Sequence, residues 1–183
     1  MKIIALTGYK RSGKDTVGDA IMALATERKE SAVKLKFADP LREAVEKLTG
    51  CEPERVKGLP IWYGLTGREL MIALGNGVRS LREDFFATLL ANRLERFESA
   101  GIEWAVITDL RFVNEAFMLV DRFDHVRIVR LDNPLAPHDP NDPAEREIDK
   151  IPVHLALRNV PGSTDPRDLA RIIMQQFKTE VYR

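Results

Sequence analysis

The stretch KIIALTGYKRSGKDT, residues 2–16, is the most informative part of this chain. A short apolar run leads into residues 8–14, which fit the pattern G-x-x-x-x-G-K. Glycines let the backbone turn so that successive amides point inward at phosphate oxygens, and a helix that begins here adds the positive end of its dipole. Lys14 supplies a cation for the same oxygens. The stretch therefore predicts a strand, a phosphate-binding loop and a helix, in that order.

Position 15 departs from the usual form of such a loop. Asp15 stands where most phosphate-binding loops have Ser or Thr, whose hydroxyl binds Mg²⁺. A carboxylate cannot reproduce that arrangement, although Thr16 still offers a hydroxyl to the phosphates. Kinases that resemble adenylate kinase also lack the first hydroxyl and hold Mg²⁺ largely through water. The departure therefore favours small-molecule kinases over switch GTPases and motor ATPases.

Short apolar runs alternate with helical patterns along the rest of the chain, which is typical of an α/β fold with a parallel sheet. The predicted strands are residues 2–7, 32–38, 103–108, 125–131 and 153–157. Helices are predicted after Lys14, over residues 40–48 with Asp39 as the cap, and from Asp165-Pro166 onward. The prolines and glycines in residues 50–66 predict mostly loop.

Composition and charge limit the possible functions. The chain has 183 residues, enough for one domain, and its 28 Lys and Arg residues balance 28 Asp and Glu residues. No global field therefore draws the protein onto nucleic acid or an anionic membrane, and no apolar run approaches the length of a membrane span. Cys51 is the single cysteine, which indicates a reducing compartment. We expect a cytoplasmic protein without nucleic-acid or membrane partners.

A second group of polar residues follows the predicted strand at residues 103–108. The sequence VITDLRFVNEA, residues 106–116, places Asp109 at the end of that strand, with Arg111, Asn114 and Glu115 beyond it. Ligands of a doubly wound sheet gather outside the carboxyl ends of its strands, so Asp109 and Arg111 lie beside the glycine loop if this strand neighbours the first. An Asp there orients Mg²⁺-bound water, and an Arg clamps a phosphate. The alternative is a helix cap with a surface salt bridge.

Four motifs, taken in order, give a more specific indication. They are SGKDT at residues 12–16, FADPLREA at residues 37–44, RELMIALGNGVR at residues 68–79 and DLRFVNEA at residues 109–116. Together they resemble the phage-type deoxynucleoside monophosphate kinase family, and the agreement extends to Asn159, Gly162 and a terminal helix. The chain departs from the family pattern at Ile72, at Asn76-Gly77, and where His138, Ala144 and Glu145 replace a His-x-Ser-Glu element.

The resemblance implies an α/β protein with the three-layer P-loop kinase fold, a five-stranded parallel sheet, a helical acceptor-binding insertion and a lid. In this single kinase domain the core spans about residues 1–49 and 101–183, the insertion about 50–100 and the proline-rich lid about 132–152. The implied activity is transfer of the γ-phosphoryl group of ATP, with Mg²⁺, to a deoxynucleoside 5′-monophosphate for DNA precursor supply. The resemblance also suggests a homodimer, in the host cytoplasm if the protein is viral.

Phosphoryl transfer needs alignment and neutralised charge more than covalent help, which assigns roles on the ATP side. Lys14 contacts the phosphates, and Lys10 or Arg11 assists as charge moves to the bridging oxygen. Asp15 and Asp109 hold Mg²⁺ through its waters. If the family pattern holds, Asn159 faces the adenine, and otherwise it is a plain turn residue. The other loop residues assigned to ATP are Gly8, Ser12, Gly13 and Thr16.

On the acceptor side a dianion must be brought next to ATP, so several cations are needed. The candidate substrate-binding residues are Arg42, Arg68, Arg79 and Arg111, with Asp39 and Glu115. Arg130 and Arg146 are assigned to close over the phosphates with the lid and exclude water. The alternative for each arginine is a solvated surface position, and for the lid a mobile loop. Trp62 and Tyr63 either stack on the acceptor base or pack beneath their loop.

Two other functions stay open. Gly-Lys-Asp-Thr also occurs in animal-type phosphomevalonate kinases, so the loop alone does not choose the acceptor, and a P-loop kinase of another metabolite is one alternative. A non-catalytic nucleotide-binding protein is the other. A GTPase switch is disfavoured, because the guanine-binding string Asn-Lys-x-Asp does not occur in the sequence.

Overall fold

The computed structural model describes residues 1–51, 60–62, 64–136 and 145–177. The chain divides into two compact units, a core unit of Met1–Lys36 with Leu90–Arg183, and an insertion unit of Phe37–Leu89. Three residues that entered the sequence predictions, Tyr63, His138 and Ala144, lie outside the described residues, as does the central part of the predicted lid. The predicted domain boundaries stay a prediction.

A five-stranded parallel sheet forms the centre of the core unit. Its strands are β1 (Lys2–Thr7), β2 (Ala32–Leu35), β5 (Trp104–Ile107), β6 (Val126–Asp132) and β7 (Leu155–Arg158), in the spatial order β2-β5-β1-β6-β7. Strands β1 and β5 are apolar and almost wholly buried, as expected of central strands covered on both faces. The predicted sheet is confirmed, and β5 neighbours β1, which brings the residues after both strands to one edge.

Strand β2 ends three residues before the predicted end at residue 38. Leu35 pairs with Ile107, the last residue of β5, so the chain beyond Leu35 has no neighbouring strand to bond. The pairing also sets Lys36 and Thr108 side by side, because each is the first residue after its strand. Both therefore lie at the carboxyl edge of the sheet.

Helices cover the sheet of the core unit. They are α1 (Lys14–Glu27), α5 (Val113–Arg122), α6 (Pro166–Gln175) and the end of α4 (Phe85–Ser99), with a short 3₁₀ helix at Ile148–Lys150. Helices α1 and α6 share one buried apolar cluster, in which Val17 and Ile21 join Ile173. Asp165 caps α6 by accepting a bond from the Arg167 amide at 2.8 Å. Among the described residues, no helix is both long and apolar enough to cross a bilayer.

The insertion unit contains two helices and a short hairpin. Helices α2 (Asp39–Thr49) and α3 (Gly67–Leu81) pack on each other, and β3 (Pro60–Trp62) pairs antiparallel with β4 (Leu65–Thr66). The sequence prediction of a loop missed this hairpin. Asp39 is already helical and Ala38 occupies the N-cap position of α2 without a side-chain bond, so the predicted cap role of Asp39 is wrong.

Candidate active site

The glycine loop, residues 8–13, joins β1 to α1. Gly8 has φ 134° and Gly13 has φ 88°, values in the region that favours glycine. A side chain at Gly8 would also overlap the carbonyl oxygen of Leu131 in β6. Arg11 has a positive φ of 64°, and its carbonyl accepts a hydrogen bond from Nδ2 of Asn133 at 2.9 Å. The turn is therefore fixed both by its own glycines and by β6 and the residue after it.

Lys14, the first residue of α1, folds its side chain back into this loop. Its Nζ donates hydrogen bonds to the carbonyl oxygens of Gly8 at 2.6 Å and Tyr9 at 2.8 Å. A third bond, 3.2 Å long, reaches Oγ of Ser12. The ammonium group is thus buried inside the curve of the loop, where a phosphate-binding loop binds its anion.

Charged groups from several elements act on Lys14. Burial, and second the positive charge of Arg111, lower its pKa from 10.5 to about 8, against the opposite effect of Asp15, Asp109 and Glu145. Electrostatic effects of this kind require proximity. The structure therefore brings together Lys14, Asp15, Asp109 and Arg111, which the sequence had predicted, and it adds Glu145.

Asp15 is bonded to the two residues at the carboxyl edge of β2 and β5. Its Oδ1 accepts a hydrogen bond from Oγ1 of Thr108 at 2.8 Å and lies 2.7 Å from Nζ of Lys36. Partial burial alone would raise the pKa of Asp15, but the bonds from Lys36 and Thr108 outweigh it and lower the pKa. The carboxylate is thus held in the charged form beside the phosphate-binding loop.

Glu115 has a structural role in the turn that follows β5. It is buried, and its Oε2 accepts hydrogen bonds from the backbone amides of Arg111 at 3.0 Å and Phe112 at 3.2 Å. These bonds cap the start of α5 and fix the backbone at Arg111. The capping alternative thus describes the observed bonds, and substrate binding by Glu115 stays a prediction.

Arg130 lies in β6, within the strand predicted at residues 125–131, and two carboxylates hold it there. Its Nε is 2.7 Å from Oδ1 of Asp132, and its Nη2 is 2.7 Å from Oδ1 of Asp149. Tyr9 of the glycine loop joins the group, since its hydroxyl donates to Oδ2 of Asp149 at 2.5 Å. Burial and this hydrogen bond raise the pKa of Tyr9. These carboxylates compensate the charge of Arg130 in this structure, and its closure over the phosphates stays a prediction.

Three acidic residues at alternate positions tie residues 145–149 to this part of the core. Buried Glu145 accepts a hydrogen bond from the Lys10 amide at 2.8 Å, and Glu147 accepts one from the Val113 amide at 3.0 Å. Asp149 bonds Tyr9 and Arg130, as described above. Arg146, between these acids in sequence, is exposed. The last part of the predicted lid is therefore bonded directly to the glycine loop.

Asn159, the residue directly after β7, bonds the glycine loop. Its side chain is buried, and Nδ2 donates a 2.8 Å hydrogen bond to the carbonyl oxygen of Ser12. A Cβ atom at Gly13 would overlap the same nitrogen, so the two residues fit only because position 13 is glycine. The adenine contact assigned to Asn159 stays a prediction beside this structural role.

The remaining candidates belong to the insertion unit. Arg68 is exposed, whereas Asp39, Arg42 and Arg79 are half-buried. The guanidinium carbon of Arg79 is 4.9 Å from the centroid of the Phe86 ring, a cation–π contact inside this unit. The assignment of these four residues to the acceptor stays a prediction, and the side chain of Trp62 lies outside the described part of the structure.

Sequence reasoning missed several residues that the fold brings to the loop. Lys36 and Thr108 bond Asp15, Asn133 bonds the loop backbone, and Glu145 bonds the Lys10 amide. One signal was available for the first two, since each is a polar residue in the last part of a predicted strand. Asn133 and Glu145 carried no comparable signal, because their positions depend on the path of the chain after β6.

No protein-family model matches this chain, and no curated protein matches it. Solved structures do. An APS kinase mutant from Mycobacterium tuberculosis is 13% identical, with a TM-score of 0.56 and 97% of each chain covered. The same kinase in complex with AMPPNP and APS is 15% identical, with a TM-score of 0.53 and coverage of 97% of this chain and 98% of that one. An unliganded sugar kinase from a Janibacter species is 13% identical, with a TM-score of 0.52 and coverage of 97% and 95%.

The fold is that of the P-loop kinases. At identities this low the likeness establishes the fold alone. It agrees with the glycine loop between β1 and α1 and with the order of the parallel strands. Within the described residues no group of three or more His, Cys, Asp or Glu side chains is arranged to hold a metal ion. Function must therefore be argued from the side chains around Lys14.

Proposed function

We propose that this protein transfers the γ-phosphoryl group of ATP to a deoxynucleoside 5′-monophosphate, giving ADP and the deoxynucleoside diphosphate. The observation that carries the proposal is the position of Lys14, whose buried ammonium lies inside a glycine loop at the carboxyl edge of a P-loop kinase sheet. Its surroundings are those of a phosphate site, with loop amides, the start of α1 and Arg111 nearby.

In the reaction an oxygen of the acceptor phosphate attacks the γ-phosphorus of ATP. The bond from that phosphorus to the β–γ bridging oxygen breaks, and its electron pair stays on ADP. The loop amides and Lys14 hold the phosphates in line and neutralise the charge that moves onto the bridging oxygen. Lys10, Arg11, Arg130 and Arg146 are the further cations we assign to this charge.

The residues at the loop fit a Mg²⁺ ion that keeps most of its water. Mg²⁺ is commonly bound through one or two carboxylates together with substrate phosphates. Asp15 suits this role because its side chain is 59% exposed, although Lys36 and Thr108 bond one of its oxygens. Asp109 would be the second carboxylate. When bound, the ion would neutralise charge on the β- and γ-phosphates.

The deoxynucleotide acceptor is proposed from the motifs at residues 37–44, 68–79 and 109–116. Of the four arginines assigned to the acceptor phosphate, Arg111 is the one whose charge acts on Lys14, so it is the strongest candidate to bridge the two phosphates. Arg42, Arg68 and Arg79 complete the set, with Asp39 and Glu115 as the further acceptor residues and Asn159 on the adenine side.

A coupled assay of ADP release tests the proposal. The purified protein is incubated with ATP, Mg²⁺ and each of the common deoxynucleoside and nucleoside monophosphates in turn. We expect turnover only when a deoxynucleotide is present, and its loss in Lys14→Ala. Lys34→Ala, which removes a lysine on the same unit away from the loop, should keep the activity. Full turnover by Lys14→Ala would refute the mechanism.

The same assay separates the alternatives. Turnover with a phosphorylated metabolite such as mevalonate phosphate, and none with deoxynucleotides, would favour a kinase of another metabolite. ATP binding without turnover of any acceptor would favour a non-catalytic nucleotide-binding protein. Both results would leave the loop as the ATP site and reject the deoxynucleotide.

A further inference from the structure

Two ion pairs of the same kind join the strand β2 to the helix α1. Lys34 in β2 pairs with Asp19, and Lys36, directly after β2, pairs with Asp15. The lysines are two residues apart, and so on the same side of the extended chain, while the aspartates are four residues apart, one turn along the helix. The main difference between the two pairs is their distance from the glycine loop. Asp15 directly follows Lys14, whereas Asp19 lies one helical turn further along α1.

The carboxylate at position 15 presents an electrostatic problem for a site that binds ATP. Its charge is among those that act on the Lys14 ammonium, so it also acts on an anion bound by that ammonium. A triphosphate carries several negative charges, so the Asp15 carboxylate would repel it at this distance if no cation compensated the carboxylate. A loop with Ser or Thr at the same position has no such repulsion.

Lys36 is placed to cancel this charge. Its side chain is only 17% exposed, compared with 32% for Lys34, so water screens the pair with Asp15 less. Thr108 bonds the same Oδ1 of Asp15 at 2.8 Å, which keeps the carboxylate turned toward Lys36. The pairing of Leu35 with Ile107 sets the two donors side by side and so makes this arrangement a property of the sheet.

We propose that Lys36 is a positioning residue of the ATP site, which neutralises Asp15 and thereby allows a triphosphate to bind beside that carboxylate. This inference rests on the proposed function, because it requires ATP at the glycine loop. Lys36 would affect ATP binding only by neutralising Asp15, and it would not contact the nucleotide itself.

Calorimetric titration with ATP and Mg²⁺, without acceptor and at low ionic strength, tests the inference. In Lys36→Met, which keeps the length of the side chain and removes its charge, we expect ATP affinity to fall about tenfold. The matched control Lys34→Met loses the equivalent pair with Asp19. The charge of Lys34 also acts on Asp15, but as the smallest of the named effects, so the affinity of this variant should stay within about threefold of the wild type. The thermal midpoints of the two variants should fall by similar amounts, because each loses one pair between the same elements.

Two further variants show whether the effect passes through Asp15. Lys36→Arg keeps the charge and should bind ATP within about threefold of the wild type. In the double variant Asp15→Asn with Lys36→Met there is no carboxylate for Lys36 to neutralise, so the affinity should lie within about threefold of that of Asp15→Asn alone, which serves as the reference. This variant also serves if Lys36→Met alone does not fold.

Two results would overturn the inference. One is a loss of affinity in Lys36→Met no greater than in Lys34→Met. The Lys36–Asp15 pair would then only stabilise the packing of β2 against α1. The other is a double variant that binds ATP about tenfold more weakly than Asp15→Asn alone, since Lys36 would then act on ATP without Asp15. Failure of the proposed function looks different. A wild-type protein that binds ATP but turns over no deoxynucleotide would reject the proposed function and leave this inference standing, whereas a wild-type protein that does not bind ATP would reject both.

Discussion

At pH 8, ATP binding should take up about half a proton per protein molecule, because the pKa of Lys14 is about 8 in the free protein. Burial is the largest cause of this lowered pKa, and the positive charge of Arg111 is the second. Bound phosphates raise the pKa of Lys14 again, because their negative charge stabilises the ammonium form. The proton that about half the molecules lack at this pH must therefore come from the buffer.

The size of the effect at other pH values follows from the same pKa. The neutral fraction of Lys14 is about 0.1 at pH 7 and about 0.9 at pH 9. The number of protons taken up per bound ATP should equal this fraction as long as Lys14 is charged in the complex. Affinity for ATP should accordingly weaken above pH 8, by up to about tenfold per pH unit. The γ-phosphate does not obscure this, because a phosphate monoester with a second pKa near 6 is already ionised.

Titration calorimetry in two buffers of different ionisation enthalpy measures the uptake at each pH. Lys14→Arg is the control, because a guanidinium stays charged throughout the range and other titrating groups are common to both proteins. The difference between wild type and Lys14→Arg should rise from pH 7 to pH 9. Equal proton uptake by the two proteins at pH 8 and pH 9 would refute the assignment of the low pKa to Lys14.

Three substitutions test the surroundings of Lys14. Arg111→Met removes a cation that lowers the pKa of Lys14, so half-maximal proton uptake should move to higher pH in the same calorimetric experiment. Gly8→Ala forces a side chain into a positive φ and against Leu131, and urea unfolding should show a loss of about 2–4 kcal/mol. Asn159→Ala leaves a buried carbonyl of the loop unbonded, and should cost about 1–3 kcal/mol in the same assay and weaken ATP binding.

The fold was largely predictable because its signal is local. Runs such as the WAVI of β5 are apolar on both faces, and only a central strand of a covered sheet buries both faces. The ends of strands were less predictable, since β2 ends where its partner ends and not where its own apolar pattern stops. The β3–β4 hairpin was missed because β3 begins with Pro60 and Gly64 lies between the two short strands, and both residue types also mark loops.

The candidate site was predictable only in part for a related reason. The glycine loop and Lys14 are contiguous in sequence, so their arrangement follows from local rules. The partners of Asp15 are about 20 and 90 residues away, and only the register between β2 and β5 places them together. The two carboxylates that hold Arg130 were likewise not predicted, because Asp132 lies in β6 itself and Asp149 comes from the 3₁₀ helix at Ile148–Lys150.

The hydrogen bonds of Lys14 explain why its protonation and its ligand should be coupled. An ammonium has three protons, and Lys14 already donates to the carbonyls of Gly8 and Tyr9 and to the hydroxyl of Ser12. A phosphate oxygen must therefore displace at least one of these neutral acceptors. The exchange is favourable only for the charged form, because an ammonium gains the attraction of two opposite charges when an anionic oxygen replaces a neutral acceptor. A neutral amine has two protons to donate and no charge to gain by the exchange, so the nucleotide should select the protonated lysine.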